Sequence, residues 1–471
     1  MSAENFVQKI WELCHVLRGD GVSYHEYVSE LTYLLFLKIA KENKTEDLIP
    51  AGRRWDDLAN YKDGDLLDFY REMLTYLGAH ADSDTVRKIY AFPTTVFSHS
   101  ENLKAVIDGI AKLDWLSVKS DGMGDIYEGL LAKNSQDARS GAGQYFTPRA
   151  LVDCMVNVMK PTAGEVIQDP AAGTGGFLIS ADHYIRARTS AAKYDANPPV
   201  YEGVEIEKGT YRICLMNSFL HRLNARVILG DALTSDANGL SSADLILANP
   251  PFGSKGGSAR KIRKDISFST TNKQLAFLQH IYLGLKVGGR AAVVLPDNAL
   301  AEDGAGRLIR QELMNRCDLR AILRLPSGIF YSPGVKTNVL FFERAAGDQG
   351  GTREVFIYDM RDGSTRYGKK RPLRDVDFLE FEGLYDQYFG LHGGARNEIK
   401  SERWRSFTRE EIAANDDNLN ISWLSGADIE SEDAPSEPED IAAAIILHLR
   451  AALNEVELVA DELSERSEGR L

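Results

Sequence analysis

Four consecutive residues, Asn249, Pro250, Pro251 and Phe252, combine the groups needed to hold a planar amine and to stack on the ring that carries it. Neither proline has an N–H, so the local backbone presents carbonyl acceptors with few competing donors, and the Asn249 amide adds another acceptor beside them. Proline also restricts the residue before it to extended geometry, which holds Asn249 at the end of the apolar run 243–248 with its side chain projecting. Phe252 offers a flat face to a planar ring. An Asn-Pro pair by itself is more often a turn than a site, so the weight falls on the residues upstream.

Upstream, Asp169, Pro170, Ala171, Ala172, Gly173, Thr174, Gly175, Gly176 and Phe177 lie between an apolar strand near 166–167 and a helix through 177–187. Small residues there let a ligand approach the backbone, and the helix N-terminus beyond offers free N–H groups. The turn lacks the lysine of a P-loop, so a ligand carrying a carboxylate and an amine fits better than a triphosphate. Glu205 follows the strand 200–204, where an acidic residue commonly accepts hydrogen bonds from ribose hydroxyls. Asp231, behind Gly230 and the apolar residues 227–229, is placed to meet an adenine amino group. Each carboxylate alone reads as structural. Three strand ends bearing ligand-type residues in chain order are harder to dismiss.

The elements that must position these groups alternate along the chain, with further helices through 211–223 and 272–285 and a strand at 290–295. That alternation predicts an α/β, doubly wound, mostly parallel Rossmann-like sheet, which binds its ligands at the carboxyl ends of the strands. Before it, residues 5–116 carry apolar positions at three- and four-residue steps, which predicts an α-helical N-terminal domain over 1–120 with a core helix at 27–40. Residues 121–143 shift to Gly, Ser, Asp and Lys around one helical turn at 127–131 and read as a linker. The second domain then covers 121–425, with a mixed, polar C-terminal extension from about 347. An acidic linker and a final helix occupy 426–471, where Ile445, Leu449, Leu453, Val456, Val459 and Leu463 form a heptad-like seam. Such a seam docks on its own domain or on a partner.

A formal net charge of −14 argues against a chain that coats nucleic acid by itself, because phosphate binding needs concentrated Lys and Arg. Lys255, Arg260, Lys261, Arg263 and Lys264 form one local basic cluster, directly after the Asn-Pro-Pro-Phe loop. Cys14, Cys154, Cys214 and Cys317 are widely spaced and no histidines cluster, so free thiols and no metal are expected. No apolar run is long enough for a transmembrane helix and the start lacks a signal-peptide pattern, so a cytoplasmic protein is expected.

In this order, Gln144, Tyr145, Phe146, Thr147, Pro148 and Arg149, the Asp169 to Phe177 turn, Glu205, Asp231 and Asn249 to Phe252 resemble the motifs of gamma-type adenine-N6 DNA methyltransferases that use S-adenosyl-L-methionine. The whole chain resembles the modification subunit of type I restriction-modification systems, including residues 337–342, residues 418–423 and the final helix. Residues 255–270 and 350–415 match no motif of that family.

The resemblance implies methyl transfer to an adenine flipped out of double-stranded DNA. Residues 144–149, Asp169, Ala171, Gly173, Thr174, Gly175, Gly176, Glu205 and Asp231 would bind the cofactor, and Asn249, Pro250, Pro251 and Phe252 would carry catalysis. It also implies a separate DNA-specificity subunit, a restriction subunit in the same assembly, and two copies of this chain per specificity subunit. Two other readings of the loop stand beside it: methylation of a protein glutamine amide, and a cofactor-sensing scaffold that organises a nuclease.

Overall fold

The computed structural model describes residues 3–13, 22, 24–115, 123–136, 147–253, 263, 265–326, 329–330, 336–361, 367, 371–390 and 401–423. Two compact units emerge. The first comprises residues 1–146, 172–179 and 205–229, and the second 147–171, 180–204 and 230–471.

The first unit is built on the helix Tyr24–Glu42, whose Val28, Leu31, Leu34, Phe36, Leu37 and Ala40 are all buried. A helix apolar all round has to be surrounded, and here Ala3–Glu12, Leu66–His80, Asp84–Ile89 and Ser100–Ala111 contribute to that core. Their starts are set by local chemistry: the Asp65 carboxylate accepts from the Asp68 N–H and the Ser83 hydroxyl from the Val86 N–H. In Ser100–Ala111 the buried Leu103, Val106, Ile107 and Ile110 fall at the spacing of one helix face.

The linker reading of 121–143 is corrected for 123–136, which form a 14-residue helix, Met123–Gln136. It packs on Ala3–Glu12 and Tyr24–Glu42, burying Ile126, Tyr127, Leu130 and Leu131. The Tyr127 hydroxyl lies 2.6 Å from that of Thr32, and Gly129 leaves only hydrogen where a Cβ would stand 2.9 Å from Val7. Glycine there permits close helix packing although it lowers helix propensity.

The same unit takes in residues 205–229. The helix Lys208–Leu220 is capped by the Glu207 carboxylate, which accepts from Gly209 N at 2.8 Å and Thr210 N at 2.5 Å. Arg212 on this helix donates to the Ile89 carbonyl at 3.0 Å and the Ser29 hydroxyl at 2.8 Å, and its guanidinium sits 4.2 Å above the Tyr33 ring. A buried arginine satisfied in this way joins the helix firmly to the N-terminal ones.

The second unit carries a sheet with strands β1 (Val166–Asp169), β2 (Val200–Glu205), β4 (Ala243–Ala248), β5 (Leu285–Pro296), β6 (Cys317–Arg324), β7 (Thr337–Arg344), β8 (Glu354–Asp359) and β9 (Trp404–Thr408). They lie in the order β2-β1-β4-β5-β7-β6-β8-β9, and β3 (Ala225–Leu229) falls within the first unit's residues. β2, β1, β4 and β5 are mutually parallel, while β7 runs antiparallel to β5 and β6. In β4, residues 245–248 are all buried, the continuous apolar run of a strand covered on both faces.

The chain leaves β1 for one neighbour, β2, and β4 for the other, β5, so the strand order reverses between β1 and β4. Open α/β sheets bind ligands at such a point, beyond the carboxyl ends of the strands. Registers Ile167↔Leu245 and Gln168↔Ile246 bring Asp169 and Asn249 to that edge together.

In the C-terminal extension, Glu354–Asp359 and Trp404–Thr408 continue the sheet as β8 and β9. The extension's scattered aromatic residues gather into one cluster, in which Phe356 stacks on Trp404 at 5.3 Å and Phe341 meets Phe381 and Tyr385 from the helix Leu379–Phe389. Among the described residues, no helix is long and apolar enough to cross a membrane, and Cys154, Cys214 and Cys317 are buried free thiols. Cys14 and the final helix at 441–463 lie outside the described residues.

Candidate functional site

The glycine turn and Glu205 belong to the first unit and are joined directly. Glu205 is 6% exposed, and its two carboxylate oxygens accept from Gly173 N at 3.0 Å and Glu207 N at 2.7 Å. Burial pushes this carboxyl up from its ordinary value to about 7, the two N–H donors pull it partly back, and the neighbouring Glu207 charge raises it again. A carboxylate with two backbone partners still has lone pairs for ribose hydroxyls.

Gly173 and Gly175 have φ of +54° and +84°, the left-handed region that favours glycine. At Gly175 a Cβ would also stand 3.1 Å from Cys214 Sγ, whereas at Gly176 it would meet nothing within 4 Å. The turn is therefore closely backed at one glycine and open at the next. Its carbonyl at Thr174 accepts from Asn217 Nδ2 at 3.0 Å. Asn217 and Cys214, both on Lys208–Leu220, hold the turn from behind and carry no motif that sequence reasoning could use. The available signal was a buried amide among the apolar residues of a helix.

In the second unit Asp169 is buried at the end of β1, and its carboxylate accepts from Ala171 N at 3.0 Å, closing an Asx turn. Asp231 closes a similar turn: its Oδ1 accepts from Leu233 N at 2.9 Å, and its own N–H donates to Asp236 at 3.0 Å.

At the end of β4, Asn249 Nδ2 donates to Thr147 Oγ1 at 3.0 Å, while Asn249 Oδ1 is buried without a partner among the described residues. An unpaired buried carbonyl oxygen is destabilising by about 1–3 kcal/mol, and a ligand N–H could satisfy it. Pro250 is buried, and the Pro251 carbonyl accepts from Gln274 Nε2 at 2.9 Å. Phe252 is half-buried, its ring edge-on to Phe330 at 6.1 Å. Gln274 gave no sequence signal, because nothing local connects it with a loop 23 positions earlier.

Arg149 begins the helix Arg149–Met159, and its Nε reaches Asp153 at 3.2 Å. Thr147 and Pro148 directly precede that helix. Gln144, Tyr145 and Phe146 lie outside the described residues, as do Lys255, Arg260, Lys261 and Lys264 of the basic cluster. Arg263 is described, and its guanidinium is committed to Asp265 and to His280 Nδ1 at 2.9 Å rather than presented free. Burial, with Arg263 beside it, holds His280 down at about 3.

Within the first unit, the open glycine turn and the buried Glu205 carboxylate suit the ribose of S-adenosyl-L-methionine, and in the second unit Asn249 carries an amide oxygen with no partner among the described residues. No cation cage of three or more His, Cys, Asp or Glu occurs among the described residues.

Residues 118–433 match the N-6 DNA Methylase family and residues 6–110 the HsdM N-terminal domain. The chain is 39% identical to the Type I restriction enzyme EcoKI methylase subunit of Escherichia coli K12, over 100% of this chain and 97% of that protein. It is also 39% identical to the StySPI methylase subunit of Salmonella potsdam, over 99% and 97%. Its fold is similar to the crystal structure of the EcoKI M protein, at 36% identity and TM-score 0.53, covering 98% of this chain and 96% of that one. A structure reported for complex assembly and conformational transition of a type I system matches at 26% identity and TM-score 0.75, covering all of both chains.

Proposed function

Because this chain belongs to the N-6 DNA methylase family, among the methylase subunits of type I restriction enzymes, we propose that Asn249 and Pro250 hold the amino group of the adenine it methylates. The reaction is methylation of adenine N6 in DNA, and neither the protein-glutamine nor the scaffold reading gains support. The orphaned Asn249 Oδ1 is the observation that carries the residue assignment.

In adenine the N6 lone pair is delocalised into the ring, which makes the amine a poor nucleophile. Hydrogen bonds from its two N–H groups to Asn249 Oδ1 and the Pro250 carbonyl favour a pyramidal nitrogen with a localised lone pair. Phe252 stacks on the base once it has left the duplex. Bound S-adenosyl-L-methionine supplies an electrophilic methyl on a sulfonium. N6 would take that methyl, its surplus proton passing to water and the sulfur being left as a neutral thioether. No group of unusual basicity is needed; alignment and placed acceptors carry the rate.

Glu205 takes the ribose hydroxyls, residues 173–176 line the cofactor's path, Asp169 and Ala171 shape the turn's entrance, and Asp231 receives the cofactor's adenine amine. The family resemblance assigns Tyr145, Phe146 and Thr147 to the methionine end of the cofactor. The DNA target is chosen by a separate specificity subunit, joined by the final helix at 441–463, with a restriction subunit in the same cytoplasmic assembly. Two copies of this chain serve each specificity subunit, and Lys255, Arg260, Lys261 and Lys264 are assigned to phosphate, Arg263 being engaged by Asp265 and His280. The acidic net charge supports this division of labour.

The test uses the complex with its specificity subunit and measures methyl incorporation at adenine N6 of duplex DNA. Asn249→Ala is expected to lower the rate about 100- to 1,000-fold, the loss typical of one placed polar group. Phe252→Ala should also lower it strongly, and both variants should keep near-native cofactor affinity by calorimetry. Undiminished transfer in either variant would overturn the assignment.

A further inference from the structure

The Asn249–Phe252 loop carries more acceptors than a single amine needs, and two side chains from other parts of the second unit determine which remain free. Gln274 is 1% exposed and lies in the first turn of the helix Lys273–Gly284. That helix start is itself fixed: Asn272 Oδ1 accepts from Gln274 N at 3.0 Å and Leu275 N at 3.3 Å, and Asn272 Nδ2 donates to Glu302 at 2.7 Å. From this base Gln274 Nε2 donates to the Pro251 carbonyl at 2.9 Å, and Lys273 N donates to the Gly253 carbonyl at 3.2 Å. The amide orientation follows from chemistry, since a proline carbonyl can only accept.

Gln274 Oε1 is left buried without a partner among the described residues. An apolar side chain would avoid that penalty, so an amide here is explained by its bond to Pro251. On the other side of the loop, the Thr147 hydroxyl takes Asn249 Nδ2 and turns the amide so that its oxygen is the open end. With Nδ2 and the Pro251 carbonyl engaged, Asn249 Oδ1 and the Pro250 carbonyl are the acceptors left for two N–H groups.

We infer that Gln274 and Thr147 are positioning residues that set the acceptor pair for the substrate amine: Gln274 by holding the Pro251 carbonyl, Thr147 by holding the Asn249 amide. This rests on the amine-binding role given to Asn249 above, and it moves Thr147 from the cofactor to the substrate side of the reaction. Neither residue touches the reacting atoms; each acts through the loop. The ligand class is a primary amine on a planar ring with two N–H donors, and a ring carbonyl in its place would face two acceptors and be rejected.

The experiment compares Gln274→Met, Thr147→Val and Thr147→Ser in the complex with its specificity subunit. It reads single-turnover methyl transfer to adenine N6, cofactor affinity, thermal unfolding, and 2-aminopurine fluorescence at the target position. Gln274→Met and Thr147→Val should each lower the transfer rate about tenfold to 100-fold, the effect of an ångström-scale misplacement. Cofactor affinity and the fluorescence of base extrusion should stay near native, and Thr147→Ser should recover most of the rate. Native rates in both apolar variants would overturn the inference, as would rate losses matched by equal losses in cofactor affinity and unfolding temperature. A wild-type complex that leaves adenine unmethylated would instead overturn the reading of the reaction.

Discussion

Lowering the pH from 8 to 6 should weaken cofactor binding about tenfold through Glu205 alone. Its carboxyl is raised to about 7 by burial, so its charge state changes within the range where enzymes are assayed. Ribose hydroxyls donate hydrogen bonds, which the ionised carboxylate accepts and the protonated acid accepts less well. With that value about 90% of the sites are ionised at pH 8 and about 10% at pH 6, and apparent affinity follows the competent fraction. The change corresponds to about 1.3 kcal/mol at 25 °C.

The sign for folding is opposite. A carboxyl raised above its unfolded value favours the folded chain in acid, and this contribution is lost as pH rises from about 4.5 through 7. Ligand-free protein should therefore be relatively more stable on the acid side, where it binds cofactor less well. Calorimetric titrations at pH 6, 7 and 8, at one ionic strength, on wild type and Glu205→Gln provide the assay. Dividing the two dissociation constants at each pH removes the titration of the cofactor's own amine. A ratio that stays flat from pH 6 to 8 would refute the reasoning, either because Glu205 makes no contact with the cofactor or because burial does not raise it.

Gly175→Ala should lower cofactor affinity and the unfolding temperature together, because it places a Cβ at φ +84° and 3.1 Å from Cys214 Sγ. The left-handed strain alone amounts to about 1–2 kcal/mol, and native values in calorimetry and thermal unfolding would count against the close backing of the turn. Deleting residues 441–471 should separate the chain from its specificity subunit while leaving cofactor affinity intact, and unchanged co-purification would remove the final helix from the interface.

Much of this architecture was legible because the informative signals were local. The run 243–248 followed by Asn249 and Pro250 announces a buried strand and a stiff exit, and the turn at 173–176 announces close backbone approach. Strand order put Asp169 and Asn249 at one edge without any knowledge of contacts. What stayed hidden was long-range. Glu205 bonds to Gly173, 32 positions earlier, so a residue read only as a ribose ligand is also the tie that shapes the turn.

Composition misled over 123–136: Gly, Ser and Lys suggested a linker, yet Ile126, Tyr127, Leu130 and Leu131 form a buried helical face. Residues 354–359 and 404–408 looked irregular because both strands are short and the helix Leu379–Phe389 lies between them in the chain. Arg263 read as a phosphate ligand from its basic neighbours, and only the fold revealed Asp265 and His280 as its partners.

The compact unit that holds the N-terminal helices also takes in residues from beyond the boundary expected at residue 120. Residues 172–179 and 205–229, which hold the glycine turn and Glu205, share one compact unit with the N-terminal helices through Arg212 and its partners Ser29 and Ile89. A ligand seated on that turn is then also a folding ligand for the helices: at a hundredfold excess over its dissociation constant it adds about 2.7 kcal/mol to their stability. A minimal enzyme trimmed of its first 120 residues would lose the foundation of its cofactor turn along with them. Conversely, substitutions deep in the helices, far from any reacting atom, would register in an assay as weakened cofactor binding.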